Sequence, residues 1–287
     1  MTPTAEAETA WKSALAKVRS FPTLPAIVNK VTELTGQPDT SAKDIEGVIG
    51  KDQALTAKLL RLVNSPFYGF PHRITTISRA VGIIGFEALR NLVFSTSVIH
   101  LFKSDESPTF RPVDFWKHSL GTALAAKGLA WRLGDRQVEE YFVGGLIHDI
   151  GKLVHHEYFA EPFHQAGRMA LEQGRLLRDA EEEVLRFTHD QTGEFLLMQW
   201  NLPPNLIAMV AHHHAPGAAR QYQREAGVIH LADILCRAKG LGNGGDQTIP
   251  CLDRATWDRL GLTVGDVEIV MRRMGQDFDD MASFLIE

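Results

Sequence analysis

The chain has 287 residues, 44% hydrophobic and 23% charged, which excludes wholesale disorder and collagen-like architecture. At about 150 residues per domain it makes roughly two units, long enough to bury a core without disulfides. A net charge of −5, from 30 basic and 35 acidic residues with no long like-charge run, argues against a nucleic-acid protein of the simple electrostatic kind. The two cysteines, Cys236 and Cys251, form no CxxC. No basic-then-apolar leader opens the chain and no run of 18 apolar residues occurs, so the expectation is a cytoplasmic protein with no membrane span.

Helical periodicity starts at 24–35, where Leu24, Ile27, Val28, Val31 and Leu34 share a face. Gly36-Gln37-Pro38-Asp39 breaks the chain. Thr40 or Ser41 caps a short helix over 42–50, with Asp44 placed for a capping box. A further helix covers 52–63. Asn64-Ser65-Pro66 ends it before the aromatic loop Phe67-Tyr68-Gly69-Phe70-Pro71, which is read as folding onto its own core. Ser78 begins a helix to Ile84, Gly85 turns it, and 86–101 follows as an apolar, buried stretch.

Residues 103–113, polar with two prolines, mark the internal boundary. Helical patterns then occupy 114–133, 137–155, 158–173, 179–199, 203–213 and 224–240. The stretch 241–250, LGNGGDQTIP, reads as a mobile loop, and helices at 253–260 and 264–285 complete the chain. No period-2 run or internal repeat appears, so the fold class is all-α. The division expected is an N-terminal helical subdomain (1–108), a second helical subdomain (109–240), and a loop with a helical tail (241–287).

Twelve histidines stand out in this composition. In VGGLIHDIGKL (143–153), His148 and Asp149 interrupt an apolar run. Neighbours on a helix point about 100° apart, so both reach one ion only if it lies against the helix between them. An imidazole and a carboxylate among apolar side chains are costly unless paired or ligated. A two-residue motif is weak alone, but others accompany it. His118 sits beside Phe115, Trp116 and Leu120, with Asp114 one turn earlier; His189 opens a later helical stretch; His212-His213-His214 ends another; Asp233 lies inside VIHLADILC. Each one alone reads as structural. Together they form six or seven nitrogen and oxygen donors in one segment.

The order His118 … His148-Asp149 … Asp233 resembles the HD superfamily of metal-dependent phosphohydrolases. The wider text resembles its HDOD branch through FPTLPAIVNKV (21–31), KDQALTAKLLRLVNSPFYG (51–69), ISRAVGIIGFEALRNLV (77–93), FWKHSLGTALAAKGLA (115–130), GGLIHDIGKLV (144–154), HDQTGEFLLMQWNLPPNLIAMVAHHHAP (189–216) and HLADILC (230–236), spanning roughly 20–238. The resemblance implies a multi-helix HD-like bundle with an N-terminal helical half. It also implies a bacterial signalling or output module, many members of which have lost their metal ligands. This chain keeps His118, His148, Asp149 and Asp233, and adds His189, His213 and His214 at positions similar to the extra ligands of the binuclear HD-GYP branch. The DGxGYP stretch of that branch is absent, since Ala215-Pro216-Gly217-Ala218-Ala219 follows the histidines. That departure counts against cyclic di-GMP hydrolysis and leaves metal binding standing.

A donor set of imidazoles and carboxylates without thiolate suits one or two divalent transition metals, iron or manganese ahead of zinc or nickel, rather than calcium. Asp149 is the natural bridging ligand, His118, His148 and Asp233 completing one ion's shell and His189, His213 and His214 the second. His212 is a weaker candidate, and Asp114 either ligates or orients His118. Two such ions would polarise a phosphoryl oxygen and activate water. Lys152, one turn past His148, either contacts a substrate phosphate or is a solvated lysine at a helix end. Three functions follow: a regulatory module acting through a signalling protein partner, a metal-dependent phosphohydrolase or phosphodiesterase on a nucleotide-like or phosphate ligand, and a scaffold with an empty site. Ligand retention favours the first two, and the missing DGxGYP stretch favours the first.

Overall fold

The structure is a computed structural model and describes residues 11–12, 15–16, 18, 21–102 and 106–285. Among these residues there is no strand, only an isolated antiparallel bridge between Ser107 and Phe110. The all-α expectation holds. The chain forms two compact units, one from residues 1–22 and 104–271, the other from 23–103 and 272–287. Compactness therefore divides the chain differently from motif order. Residues 241–271, expected as loop and tail, belong to the unit carrying the histidines, and the first 22 residues group with it rather than with the N-terminal half.

The smaller unit contains α1 (Ala26–Thr35), α2 (Ala42–Ile49), α3 (Gln53–Val63) and α4 (Ile77–Ile99). Helix α2 starts with the expected capping box, Ser41 accepting from the Asp44 amide while Asp44 accepts from the Ser41 amide. Asp52 caps α3 by accepting from the Leu55 amide at 2.9 Å. Asn64 closes α3 and holds the following loop, donating to the Ile74 carbonyl and accepting from its amide. In that loop the half-buried rings of Phe67, Tyr68 and Phe70 pack on one another. Val28, Val31, Ile45, Ile49, Leu59, Leu62, Leu89 and Val93 form the core. By length and hydropathy α4 could cross a membrane, although its sequence holds no uninterrupted apolar run of that length. Gly85, at φ 86° and ψ 166°, breaks it into two pieces, and 56% of its apolar window is buried inside the protein.

The larger unit begins with α5 (Pro112–Arg132), which packs on α6 (Val138–Ile147) and α12 (Gln223–Lys239). Next come α7 (Ile150–Tyr158), α8 (Ala160–Gln173), α9 (Leu177–Val184), α10 (His189–Gln199) and α11 (Pro204–His212), then α13 (Arg254–Leu260). Helix α14 (Val264–Leu285) carries the chain from this unit into the other. Two helices expected as continuous are broken. The 137–155 stretch divides at His148 and Asp149, which lie between α6 and α7. The 179–199 stretch divides at 185–188, so that His189 opens α10 behind the capping box of Thr188 and Gln191. Apolar periodicity passes through both breaks unchanged, which is why it does not report them.

Candidate metal centre

Each candidate ligand stands at a position its local structure fixes. His118 lies mid-helix on α5 and Asp233 mid-helix on α12; His148 and Asp149 fill the α6–α7 junction; His213 and His214 follow α11. His148 Nδ1 sits 2.8 Å from the Gly145 carbonyl and His213 Nδ1 2.7 Å from the Val210 carbonyl, one turn back in each case. Nδ1 is thereby the protonated nitrogen and Nε2 is left with a lone pair. His118 Nδ1 faces the Cys236 sulfur at 3.5 Å. Cys236 is a small buried side chain, its thiol pushed up to about 12 by burial.

The seven expected ligands come together in two groups. His118, His148 and Asp233 form one, and Asp149, His189, His213 and His214 the other, with candidate ligand atoms in each group within 4.8 Å of one another. Asp149 faces both. Its Oδ2 is 3.3 Å from His148 Nε2 and 3.6 Å from His118 Nε2, while its Oδ1 is 3.2 Å from His189 Nε2 and 3.6 Å from His213 Nε2. His118 Nε2 also lies 3.1 Å from Asp233 Oδ1. The Nε2 atoms of His118, His148 and His213, together with Asp149 Oδ1, are buried and make no hydrogen bond. Four converging polar atoms without partners are costly in a protein interior unless something else binds them. A divalent cation fits that donor set, and Asp149 supplies an oxygen to each side.

The electrostatics agree with this. Burial alone would raise Asp149, but the His148 ring and the Lys152 ammonium beside it hold it well below the usual carboxylate range. Asp233 is held low in the same way, chiefly by Arg237, whose Nε donates to it at 2.8 Å. Burial pulls His213 down to about 4 and His214 well below its ordinary value, so both rings are neutral near pH 7. His189 goes the other way. Burial opposes its charge, yet the Glu181 carboxylate, 2.6 Å from Nδ1, carries it up to about 9. Glu181 also accepts from the His189 amide and lies 3.2 Å from His155 Nδ1.

Three expectations change. His212 is half-buried and belongs to neither group. Asp114 does not reach the centre: its carboxylate accepts from Arg111 at 2.9 Å, and only its backbone carbonyl takes part, accepting from the Asn243 amide. Lys152 is neither solvated nor open to a ligand. It is fully buried and donates to Asp149 at 2.7 Å and to Asp246 at 3.0 Å. His155 and His156 are both buried and stand outside both ligand groups.

Several residues escaped sequence reasoning. Asp246, within the stretch expected to be mobile, has a carboxylate turned inward; it accepts from Lys152 and from the Leu177 amide at 2.8 Å, and pairs with Arg237 at 3.1 Å. Gly244 of the same loop lies so close that a Cβ there would stand 2.9 Å from Asp149 Oδ2 and from the His118 ring. The loop thus straps the centre and leaves a crevice of about 80 Å³ beside His118. The signal was a Gly-Gly-Asp directly after the Asp233/Arg237 helix. Glu181 stands next to Glu182 and Glu183 but shares the helical spacing of Leu177, Ala180 and Val184. Gly151 sets a distance: a Cβ there would stand 2.0 Å from the His189 carbonyl oxygen, so α7 and α10 touch through backbone.

With that geometry in place, comparison with known proteins identifies the fold family. The HDOD domain model matches residues 21–216, and the chain belongs to the HDOD family. Its fold superposes on an HDOD domain protein of unknown function from Geobacter sulfurreducens with TM-score 0.83, 25% identity and 98% of each chain covered. A protein from Shewanella amazonensis provisionally described as a phosphohydrolase gives TM-score 0.73 at 25% identity, covering 94% of this chain and 97% of that one. An uncharacterized protein of Treponema pallidum is 26% identical over 223 residues, 77% of this chain; the chain spans 43% of that relative's length.

Proposed function

We propose that this chain is a regulatory HDOD module whose histidine–aspartate centre holds one or two divalent transition metals and whose output passes through a protein partner. One observation carries the reading: a converging donor set, buried except for half-buried His214, lies beneath a strap that leaves about 80 Å³ beside it. Such a space suits an ion and its water; ligand pockets for nucleotide-sized molecules run to about 300 Å³ or more. His118, His148 and Asp233 would hold one ion, His189, His213 and His214 the second, and Asp149 both. Iron or manganese suits these donors best, with zinc and nickel next. Lys152, Arg237 and Glu181 would act on the ligands, the two cations fixing the carboxylates and Glu181 orienting His189.

A second reading is a metal-dependent phosphohydrolase on a nucleotide-like substrate. It is favoured by the buried cations Lys152 and Arg237 beside Asp149 and Asp233, and by the likeness to the Shewanella protein. Ions held there would supply Lewis-acid polarisation of a phosphoryl oxygen. Lys152 and Arg237 would meet the substrate's negative charge only after Asp246 leaves them.

Elemental analysis of the purified protein, with a panel of cyclic and linear nucleotides assayed in added Mn²⁺, separates the readings. The regulatory module gives stoichiometric metal and no turnover, in the natural chain and in Asp246→Ala alike. Turnover that appears in either protein selects the hydrolase. Absence of metal after growth in supplemented medium overturns both.

A further inference from the structure

The smaller unit holds a cavity of about 580 Å³ between α1, α3 and the end of α4, with Ser283 also on its lining. Its size falls within the range of small-molecule sites, about 300–1,000 Å³. Leu55 and Leu101 belong to its apolar lining, and Lys58, Arg61, His100 and Thr96 to its polar lining.

The polar side is unfinished. Lys58 is 8% exposed, and among the described residues it is the one buried charged side chain of this unit. Its ammonium sits 2.7 Å from His100 Nε2. Burial and the Lys58 charge both push His100 below its ordinary value, so the ring is neutral and accepts. Among the described residues no carboxylate comes within ion-pair distance of Lys58 or Arg61. Asp52 at the edge of the cavity is committed to the start of α3 through the Leu55 amide. The Thr96 hydroxyl, 1% exposed, has no hydrogen-bond partner. A buried ammonium without a counter-charge and a buried hydroxyl without a partner are both expensive, and one ligand answers both.

We propose that this cavity binds a small amphiphilic organic anion, its head group on Lys58, Arg61 and the Thr96 hydroxyl and its apolar body against Leu55 and Leu101. The site stands in the other unit from the metal centre and does not depend on what that centre does. The charged head selects the ligand, because the apolar wall accepts any hydrocarbon of suitable size while the cations discriminate by charge.

The test is calorimetric titration of the full chain with decanoate and, in parallel, with decanol. Decanoate binds saturably at one site, and decanol binds about tenfold more weakly or worse, the loss of one charge-assisted contact. Lys58→Met keeps the alkyl stem and lowers decanoate affinity by about tenfold without changing decanol. Arg61→Met, at an exposed position where folding is not at risk, lowers it several-fold. Arg175→Met in the larger unit removes one positive charge far from the cavity in sequence and leaves decanoate binding intact. If Lys58→Met fails to fold by circular dichroism, Arg61→Met decides. Non-saturating heats, equal binding of decanol, or decanoate affinity unchanged in the folded lysine or arginine variant overturns the proposal.

Discussion

The two units are made of the same kind of amphipathic helix and bury opposite chemistry. The smaller unit fills its interior with Val28, Val31, Ile45, Leu59, Leu62 and Leu89, and buries a single charged side chain among the described residues. The larger unit buries His118, His148, Asp149, Lys152, Glu181, His189, His213 and Asp233 in helices that are otherwise just as apolar. Buried ion pairs rarely repay their desolvation against an apolar replacement of the same shape. The polar interior of the larger unit is therefore a cost to stability, and the ion binding proposed above is the gain that would answer it. Outside the Lys58 cavity, the smaller unit shows the apolar packing such helices adopt without a cluster of buried charges.

The largest expected effect that sharpens this contrast is Asp149→Ala. It removes the carboxylate that presents one oxygen to each ligand group and strips one of the two carboxylates from buried Lys152. Bound metal falls to zero by elemental analysis, and stability drops by about 3–5 kcal/mol in urea unfolding. Metal retained at full stoichiometry would count against Asp149 as the shared ligand. Leu59→Ala in the smaller unit costs about 2–5 kcal/mol through an apolar cavity. It leaves metal content unchanged, and a loss of metal there would blur the contrast between the two interiors.

Glu181→Gln acts on the centre from one residue further out. His189 stays protonated up to about 9 because of Glu181, whereas an ion needs the ring neutral. Metal affinity of the natural chain should rise with pH through neutrality and level off near that value. The variant returns the His189 value toward neutrality, so its affinity levels off at lower pH; loss of the orienting carboxylate also weakens binding by about 10–100-fold at high pH. Manganese titrations across pH read both effects, and identical pH curves for the two proteins would remove Glu181 from the centre. The smallest effect belongs to Ser41→Ala. It breaks the α2 capping box and costs about 1 kcal/mol, with metal content untouched.

The helices and the clustering of the seven candidate ligands were legible because they carry local or ordered signals: periodic apolar faces, the Ser41/Asp44 cap, and the succession from His118 to Asp233. What the sequence hid depends on tertiary approach. The breaks at 148–149 and 185–188 leave apolar spacing intact. Asp246 sits in a glycine-rich stretch that resembles solvated loop, and only the pairing of its carboxylate with Lys152 and Arg237 reveals its place. Lys152 lay on the expected face, but its two carboxylate partners are 3 and 94 residues away. Glu181 had a usable signal in its spacing, masked by the acids around it.

The backbone contact at Gly151 has a bearing on which ions the proposed centre could take. Side chains adapt by changing rotamer; two helices already touching main chain to main chain cannot move closer, and any group larger than hydrogen at that residue drives them apart. The span between Asp149 at the head of α7 and His189 at the head of α10 is therefore gauged by the polypeptide itself, so the radius of any ion the proposed centre would accept is set before a side chain turns toward it.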